Sequence, residues 1–297
     1  MRVLSLFDGI SCGMVALERA GIPVERYVAY EINEQSIAVS KKHYPNIEHK
    51  GDVNGADFSE YIGFDLLIGG SPCQDLSGLN TVYRKDYETG LKGKKSRLFY
   101  AYVDALQTVN PKFFLFENVA SMKAEWRDAI TTELGVEPIM INSALVSAQE
   151  RKRLYWTNIP KVTQPADRGI VLEDIILHAD TIPEKYWYRD RKYTIHGEDD
   201  RVIATLDEGH LFSENKRVFN LKHKCGTLCG DGAGGNLQKK VFQNGAVRKL
   251  TPVEYERLQT LPDNYTEGVA DSHRYTAIGN GWTVDVIAHL LGGLHDA

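Results

Sequence analysis

The sequence has little cysteine and no long hydrophobic run. Only four of its 297 residues are cysteines, which is too few for the disulfide framework of a small secreted protein and fits a reducing cytoplasm. No apolar stretch approaches the roughly 18 residues that cross a membrane, and the N-terminal apolar run is too short for a signal peptide. These absences predict a cytoplasmic protein without a membrane-spanning segment.

An excess of one charge is also missing, because 40 Asp and Glu face 35 Lys and Arg. The charges are nevertheless unevenly placed. Residues 164–208 contain 11 acidic and 6 basic side chains, whereas residues 216–249 contain 8 basic side chains and one acidic one. A second basic run, residues 84–97, contains six Lys or Arg. Two basic runs that both contain glycines favour a surface that binds a polyanion.

Strands and helices alternate through the first 157 residues. Apolar runs predict strands over residues 2–7, 27–32, 64–68, 113–116, 139–146 and 153–159. Patterns with helical spacing occur over residues 13–20, 33–43 and 96–109. This order is typical of an α/β fold with a mostly parallel sheet covered on both faces, in which ligands bind at the carboxyl ends of the strands.

Regular structure stops near residue 158 and returns at Thr251. The stretch between them contains scattered prolines, clustered aromatic residues and the glycine-rich run 226–235. Thr251-Pro252-Val253-Glu254 then predicts a helix start, because it combines a capping box with proline at the first helical position, and a last apolar helix is predicted over residues 281–294. We therefore predict a catalytic α/β domain formed by residues 1–157 with 248–297, and a smaller irregular domain formed by residues 158–247.

Three positions indicate a nucleotide-type cofactor. The segment Phe7-Asp8-Gly9-Ile10-Ser11-Cys12-Gly13 lies between a strand and a helix, where glycines let a ligand approach the backbone. Glu31 ends the second predicted strand, which is the position at which an acid binds a pair of ribose hydroxyls. Asp52 follows as an acceptor for an adenine amino group. Together these residues predict a cofactor that carries adenosine, without identifying it further.

A second set of residues indicates nucleophilic catalysis. Cys73, in Ser71-Pro72-Cys73-Gln74, follows a buried strand at the point where a reactive thiol would be displayed. Glu117 ends the next strand, which places a carboxylate beside that thiol. Arg151 and Arg153 are two residues apart and face the same side of an extended chain. The sequence therefore predicts a thiol, a carboxylate and two guanidinium groups in one site.

The ordered set of segments resembles the DNA (cytosine-5)-methyltransferase family. The resemblance covers the chain except residues 158–247, and the single-chain layout is similar to bacterial and phage members, with further similarity to the animal de novo enzymes. The chain departs from the family pattern at Cys12, where a second glycine is usual, and at Gly281, where serine is usual. The segments that carry the resemblance are the Phe7 to Gly13 loop, Glu31, Asp52, Pro72-Cys73-Gln74, Glu117-Asn118-Val119, Gln149 to Arg153 and Gly279-Asn280.

The resemblance implies a Rossmann-like, S-adenosylmethionine-dependent methyltransferase domain and a smaller target-recognition domain. The expected reaction is methyl transfer to carbon 5 of a cytosine flipped out of the DNA duplex. Cys73 would add to carbon 6 of the base, Glu117 would hold its N3 edge, and Arg153, with Arg151 behind it, would hold its carbonyl group. The residues assigned to the cofactor are Phe7, Asp8, Gly9, Gly13, Glu31, Ile32, Asp52, Val53, Pro72, Leu98, Asn280 and Trp282.

Two regions are expected to contact double-stranded DNA. The loop after Cys73 would close over the target, with Leu79 in the space that the flipped base leaves. The basic run 84–97 belongs to this loop, the lysines of residues 216–249 are assigned mainly to phosphate contacts, and Arg217 is assigned to guanine recognition. The full set is Leu79, Lys92, Lys94, Lys95, Arg217, Lys222, Lys224, Lys239 and Lys240. Cys225 and Cys229 have poor spacing for zinc, so no metal is expected.

Two other functions remain open at this point. An RNA cytosine-5 methyltransferase would share the fold, although the 90 residues of the predicted recognition domain suit duplex DNA. A catalytically silent regulatory homologue is expected to lack Cys73 or Glu117, and both are present. The sequence leaves open the target site, the existence of a cognate restriction endonuclease and the oligomeric state.

Overall fold

The computed structural model describes residues 1–72, 98–207, 213–230 and 237–296. The chain forms two compact units, each assembled from separate stretches of sequence. Unit 1 consists of Met1–Ile141, Lys152–Gln164 and Ile287–Ala297, and unit 2 consists of Asn142–Arg151 and Pro165–Val286. No helix within the described ranges has the length and apolarity needed to cross a membrane.

Strands and helices are numbered here along the chain. The strands are β1 (Arg2–Leu6), β2 (Arg26–Tyr30), β3 (Glu48–His49), β4 (Leu66–Gly69), β5 (Phe113–Val119), β6 (Ile139–Asn142), β7 (Gln149–Glu150), β8 (Lys152–Thr157), β9 (Tyr193–Ile195), β10 (Val202–Leu206), β11 (Arg217–Phe219), β12 (Cys225–Gly226), β13 (Lys240–Gln243) and β14 (Ala246–Lys249). The α-helices are α1 (Cys12–Arg19), α2 (Glu34–His43), α3 (Leu98–Val109), α4 (Ala124–Leu134), α5 (Pro252–Leu258), α6 (Asp271–Asn280) and α7 (Val284–Leu291).

The main sheet has seven strands in the order β3-β2-β1-β4-β5-β8-β6. Strands β1 to β5 pair in parallel with their neighbours, and β8 runs antiparallel to β5. All four residues of β4 and the first four of β5 are buried, as expected for parallel strands covered on both faces. The predicted α/β fold with a mostly parallel sheet is confirmed, and the carboxyl ends of β1, β2, β4 and β5 share one edge.

Unit 1 contains a capped helix start at α2 and a hydrogen bond between distant parts of the sequence. Helix α2 begins after Asn33, whose Oδ1 accepts a hydrogen bond from the Ser36 N–H at 2.9 Å, and this cap satisfies a backbone group that a helix start leaves unpaired. The final segment of unit 1 joins its beginning, because His295 Nε2 donates to the Ala20 carbonyl at 2.8 Å across 275 positions of sequence. Unit 1 therefore contains contacts between residues from opposite ends of the sequence.

Unit 2 contains a five-stranded sheet in the order β14-β13-β11-β10-β9 and the short pair β7-β12. In the larger sheet β11 and β13 are parallel, and the other neighbours are antiparallel. Helix α5 begins with both halves of a capping box. The Thr251 hydroxyl accepts from the Glu254 N–H at 3.3 Å, and the Glu254 carboxylate accepts from the Thr251 N–H at 2.6 Å. The helix start predicted at Thr251 is confirmed.

The compact units divide the chain differently from the predicted domains. Residues 248–286, which the sequence assigned to the catalytic domain, group with residues 165–247 in unit 2. Packing explains this grouping, because Tyr255 and Ile278 share one buried apolar cluster with Phe219. The assignment of residues 158–247 to target recognition stays a prediction.

Unit 2 also buries several charges. The Arg248 guanidinium and the Glu254 carboxylate form an ion pair with a distance of 2.6 Å, and both side chains are fully buried. Lys240 is 1% exposed, and its ammonium donates to the Asn215 and Gln238 carbonyls at 2.8 and 3.0 Å. Burial, together with repulsion from neighbouring cations, lowers the pKa of Lys240 to about 7. This lysine belongs to the interior of the unit.

Candidate active site

The turn after β1 is fastened to the end of β2 by Glu31. Its Oε2 accepts from the Gly9 N–H at 2.8 Å, and its Oε1 accepts from the N–H groups of Ile32 and Asn33 at 2.9 and 2.8 Å. Gly9 has a φ of +60°, which glycine adopts without steric cost. Phe7, with a φ of 60°, adopts the same region at a cost, and such residues cluster at ligand sites. The hydrogen bonds of Glu31 and the positive φ angles of Phe7 and Gly9 therefore define the conformation of this turn.

Asp8 is hydrogen-bonded to three side chains around the turn. Its carboxylate accepts hydrogen bonds from the hydroxyl groups of Ser5, Ser11 and Tyr27 at 2.6, 2.5 and 2.7 Å. Burial raises the pKa of Asp8, and these three bonds offset part of that rise. Three internal donors hold the carboxylate, and the assignment of Asp8 to cofactor binding stays a prediction. Asp8 shapes the turn from inside.

An apolar and acidic surface continues from Glu31 towards the neighbouring strand. Ile32 is 70% exposed. Asp52 follows β3, the strand that pairs with β2, and it is exposed, with Oδ1 accepting from the Asn54 N–H at 2.9 Å. Val53 is buried beneath it. Two carboxylates beside an exposed isoleucine fit the hydroxyl groups and the flat ring of an adenosine group.

Asn118 positions the chain that leads to the predicted nucleophile. It lies on β5 and is 1% exposed, and its Nδ2 donates to the Ser71 carbonyl at 3.3 Å. Ser71 and Pro72 follow β4, the parallel neighbour of β5. Cys73 itself lies outside the described residues. The sequence indicated Asn118 only as part of a motif. In the structure its side-chain amide joins the end of β5 to the chain that follows β4.

Glu117 and Arg153 form an ion pair at the carboxyl end of β5. Arg153 Nε lies 2.8 Å from Glu117 Oε1, and both side chains are 12% exposed. The register of β5 and β8 explains this contact, because Glu117 is opposite Tyr155 and Val119 is opposite Arg153. The two side chains are thus diagonal neighbours on one face of the sheet. A partly buried carboxylate and guanidinium meet here at the edge where α/β sheets bind ligands.

Arg151 is engaged inside unit 2. It is 4% exposed, and its guanidinium donates to the carbonyls of Leu228, Gly279 and Gly281 at 3.0 to 3.1 Å. An arginine has five N–H donors, and these backbone groups take up both terminal nitrogens. The expectation that Arg151 stands behind Arg153 at the base is therefore replaced by an internal role.

The other predicted cofactor residues are placed as follows. Gly13 is buried in the first turn of α1, and Leu98 begins α3 and packs against the core of unit 1. Asn280 ends α6 and is exposed, and Trp282 is half-buried; both belong to unit 2. The assignment of Asn280 and Trp282 to cofactor binding stays a prediction.

The predicted DNA contacts divide into three groups. Leu79, Lys92, Lys94 and Lys95 lie outside the described residues. Lys222 is exposed, and Arg217 pairs with Glu214 at 2.7 Å on the surface. The remaining three lysines are withdrawn from solvent to different degrees: Lys224, Lys239 and Lys240.

The contacts of Lys224 and Lys240 count against phosphate binding by these two lysines, whereas the assignment of Lys239 stays a prediction. Lys224 Nζ donates to the carbonyls of Ala144, Ser147 and Ile170 at 2.6 to 3.2 Å, and an ammonium has three donors in total. Lys239 and Lys240 are 8% and 1% exposed. The count of basic residues therefore overstated the charge available to DNA, because part of it stabilises unit 2.

The fold and the candidate site together are typical of one class of protein, the α/β enzymes that bind a nucleotide cofactor. Nucleotide-cofactor α/β enzymes share three of these features: a mostly parallel sheet, a glycine turn tied to an acid after β2, and a second acid beyond β3. The Glu117–Arg153 pair adds acid–base groups at the same sheet edge. No group of three metal-ligating side chains occurs in the part of the chain that the structure describes.

Comparison with known proteins identifies the family. The chain matches the C-5 cytosine-specific DNA methylase family over residues 1–295, and it therefore belongs to that family. It is 25% identical over 340 residues to Type II methyltransferase M.HpaII of Haemophilus parainfluenzae, covering 99% of this chain and 90% of that protein. It is 26% identical over 337 residues to Type II methyltransferase M.NgoPII of Neisseria gonorrhoeae, covering 99% and 95%.

A solved structure supports the fold. The methyltransferase EhMeth of Entamoeba histolytica superimposes with a TM-score of 0.72 at 18% identity, covering 100% of this chain and 98% of that one. As a member of the family, the chain is an enzyme that methylates DNA at carbon 5 of cytosine. The family description names DNA, so neither the RNA enzyme nor the silent homologue is favoured.

Proposed function

We propose that the enzyme uses S-adenosylmethionine as methyl donor and Cys73 as a covalent nucleophile towards a cytosine flipped out of the duplex. The observation that carries this proposal is the Glu117–Arg153 pair, with a distance of 2.8 Å. A carboxylate that is only 12% exposed, near the end of the apolar strand β5, costs free energy unless the charge is paired. Here the pair lies at the ligand-binding edge, beside the chain that leads to Cys73.

The pair offers complementary groups to one edge of cytosine. The Arg153 guanidinium donates N–H bonds and suits the base carbonyl, whereas the Glu117 carboxyl group suits N3 and the amino group. Their mutual contact orients both side chains before the base arrives, so little reorganisation is needed during the reaction. Reduced exposure strengthens their interaction with charge that develops on the ring.

The chemistry assigned to the chain is addition followed by elimination. The Cys73 thiolate forms a bond to carbon 6, the electrons of the conjugated 5,6 and 3,4 double bonds shift towards N3, and N3 takes a proton from the Glu117 carboxyl group. Carbon 5 then takes up the methyl group, and bound S-adenosylmethionine supplies that group as an electrophile. Loss of the carbon 5 proton to solvent water and departure of the Cys73 thiolate restore the 5,6 double bond, and the N3 proton returns to Glu117. The base must first leave the stack, which costs a few kcal/mol.

Glu31, Ile32 and Asp52 are the residues proposed to hold the cofactor. Glu31 uses three acceptor sites for backbone N–H groups, and a carboxylate offers about four, so one site is open to a ribose hydroxyl. Ile32 presents an apolar surface to the adenine ring, and Asp52 an acceptor to its amino group. These residue types fit S-adenosylmethionine without any change of fold.

The DNA partner and the cellular setting complete the proposal. Residues 158–247 select the target sequence in double-stranded DNA, since a separate module leaves the catalytic residues unchanged between targets. Because DNA is the substrate, we place the enzyme in the cytoplasm of a bacterial or phage-infected cell. The Type II names of its relatives make a partner restriction endonuclease a further proposal.

A mechanism-based trap tests the nucleophile. Duplex DNA carrying 5-fluorocytosine at the target should form an adduct that survives denaturation, because fluorine cannot leave carbon 5 as a cation. Cys73→Ala should abolish the adduct. Cys229→Ala provides a matched control, since Cys229 is a free, exposed cysteine and its loss should leave the adduct intact. A Cys73→Ala protein that still methylates plasmid DNA, read by bisulfite sequencing, would refute the proposal.

A further inference from the structure

Two segments of unit 2 lie side by side: Cys225–Gly230, here called the recognition segment, and Gln149–Arg151, here called the anchor. Strands β7 and β12 pair in parallel at the start of both segments. The Thr227 hydroxyl then donates to the Glu150 carbonyl at 2.7 Å. The recognition segment lies in the basic half of the predicted target-recognition domain, and Cys229 within it is exposed.

Side chains of the anchor continue the contact beyond the strand pair. The Leu228 N–H donates to Gln149 Oε1 at 3.3 Å, and the Leu228 carbonyl accepts from Arg151 Nη1 at 3.0 Å. Gln149 and Arg151 are 0% and 4% exposed. Both backbone groups of Leu228 are thus satisfied by side chains, which sets the position of this residue in two directions.

Arg151 also donates hydrogen bonds to a third segment, the end of α6. Its Nη2 donates to the Gly279 and Gly281 carbonyls at 3.1 and 3.0 Å, at the end of α6. A guanidinium is a rigid plane with fixed donor directions. One side chain therefore fixes the spacing between the recognition segment and the end of α6.

The recognition segment and the end of α6 also touch backbone to backbone. A Cβ added at Gly279 would lie 2.5 Å from the carbonyl carbon of Cys229, and a Cβ added at Gly230 would overlap the Asn280 side chain. Gln259 supports the contact from below, because its Nε2 donates to the Ile278 and Gly281 carbonyls at 2.9 Å. The junction has no room for a side chain at Gly279, and the hydrogen bonds of Arg151 connect its two sides.

We propose that Arg151 is a positioning residue that sets the recognition segment for target reading and does not act on the base. This proposal rests on the proposed function, in which residues 158–247 select the target. Displacement of the recognition segment weakens contacts to the correct site, whereas the Glu117–Arg153 pair is held by contacts within unit 1. Loss of Arg151 contacts should therefore appear in the Michaelis constant for DNA and in site fidelity, rather than in the rate at saturating DNA.

Three variants test the role. Arg151→Lys keeps the charge but cannot reach three carbonyls in the same geometry. Gly279→Ala disturbs the junction from the opposite side without touching Arg151. Tyr275→Phe is the matched control, because the Tyr275 hydroxyl donates to the Leu250 carbonyl at 2.7 Å and is buried on the same helix, α6. Each protein is assayed for kcat and the Michaelis constant on plasmid DNA, for target against off-target methylation by bisulfite sequencing, for cofactor affinity, and for melting temperature.

The expected results separate positioning from a plain loss of stability. Arg151→Lys and Gly279→Ala should each raise the Michaelis constant for DNA, or lower the target to off-target ratio, by about tenfold or more, since hydrogen bonds to a charged group of this kind are worth that factor. The kcat measured with both DNA and cofactor at saturation should change by less than about threefold. Tyr275→Phe should lower the melting temperature without changing the ratio or the Michaelis constant.

Several outcomes would overturn the proposal. If Arg151→Lys lowers kcat but leaves the Michaelis constant and the fidelity unchanged, Arg151 takes part in the chemical step and the proposal is wrong. An equal loss of fidelity in Tyr275→Phe would reduce the role to stability. If Arg151→Lys fails to fold, an unchanged ratio in Gly279→Ala refutes the proposal by itself. A wild-type protein that leaves cytosine unmodified would instead overturn the proposed function, and this role with it.

Discussion

Replacing Lys240 by methionine is expected to remove a pH dependence from the stability of the protein. Lys240 titrates with a pKa of about 7 in the folded chain, against 10.5 for an unperturbed lysine. Between these pH values the unfolded chain binds more protons at this residue than the folded chain does. The free energy of unfolding therefore rises as pH increases from about 7 to about 10.5. The physical cause is burial of the ammonium, with repulsion from Lys239, Lys249 and Arg191 as smaller contributions.

The magnitude follows from the size of the pKa difference. Each pKa unit corresponds to about 1.4 kcal/mol, so the folded state is destabilised by about 4 kcal/mol at pH 7 relative to pH 10.5, after allowing for half-protonation at pH 7. Between pH 7 and pH 9 the free energy of unfolding should rise by about 2 kcal/mol from this residue alone. Lys240 is 1% exposed, so solvent screening does not reduce this value substantially.

Urea unfolding at pH 7, 8 and 9 measures the effect. The wild-type curve should rise relative to Lys240→Met, and the difference between the two proteins should change by about 2 kcal/mol across the series. The slope is the diagnostic quantity, because methionine also leaves the Asn215 and Gln238 carbonyls without this donor and so changes the absolute stability. Lys222→Met, at an exposed lysine, is the control and should follow wild type. Parallel curves for wild type and Lys240→Met would refute the reasoning.

Three further substitutions have expected outcomes. Glu117→Gln should lower kcat by about 10²–10⁴-fold because the general acid is lost, with little change in melting temperature; single-turnover methylation measures the first, and an unaltered rate would contradict the assigned role. Glu254→Ala should destabilise the protein by about 3–5 kcal/mol in urea unfolding, because it leaves the buried Arg248 charge without its partner; a loss below about 1 kcal/mol would show that water reaches the site. Asn33→Ala should lower the free energy of unfolding by about 1 kcal/mol through loss of the α2 cap, and Asn33→Ser should restore most of it.

Local signals in the sequence predict much of the fold. The start of α2 at Asn33 and of α5 at Thr251 depends on side chains within three residues of the helix end, so both are readable from sequence. The strand predicted over residues 139–146 is shorter than expected and ends at Asn142, whose Oδ1 accepts from the Ala144 N–H at 3.1 Å and begins a tight turn. An asparagine that bonds its own backbone was the available signal.

Long-range contacts explain why the surroundings of other residues could not be predicted. Nothing near Asp8 in sequence shows that Tyr27, on the next strand, donates to its carboxylate. Likewise, Lys224 resembles a surface lysine until the Ile170 carbonyl, 54 residues away, is seen to accept from its ammonium. A motif names the residue types that a family retains, but it does not separate groups that meet the substrate from groups that hold the chain. Arg151 belongs to the second kind, although it lies two residues from Arg153.

The hydrogen bond between His295 and the Ala20 carbonyl has a consequence for synthesis on the ribosome. Its partners are separated by 275 positions, and at roughly 5–20 residues per second the second partner emerges about 14–55 s after the first. During that interval the end of α1 awaits a segment that has not yet been made, although β1 to β5 can already pair. Completion of unit 1 is thus a late event, and the partly assembled sheet depends on its own parallel pairing, which forms slowly, or on chaperones until the last helix is released.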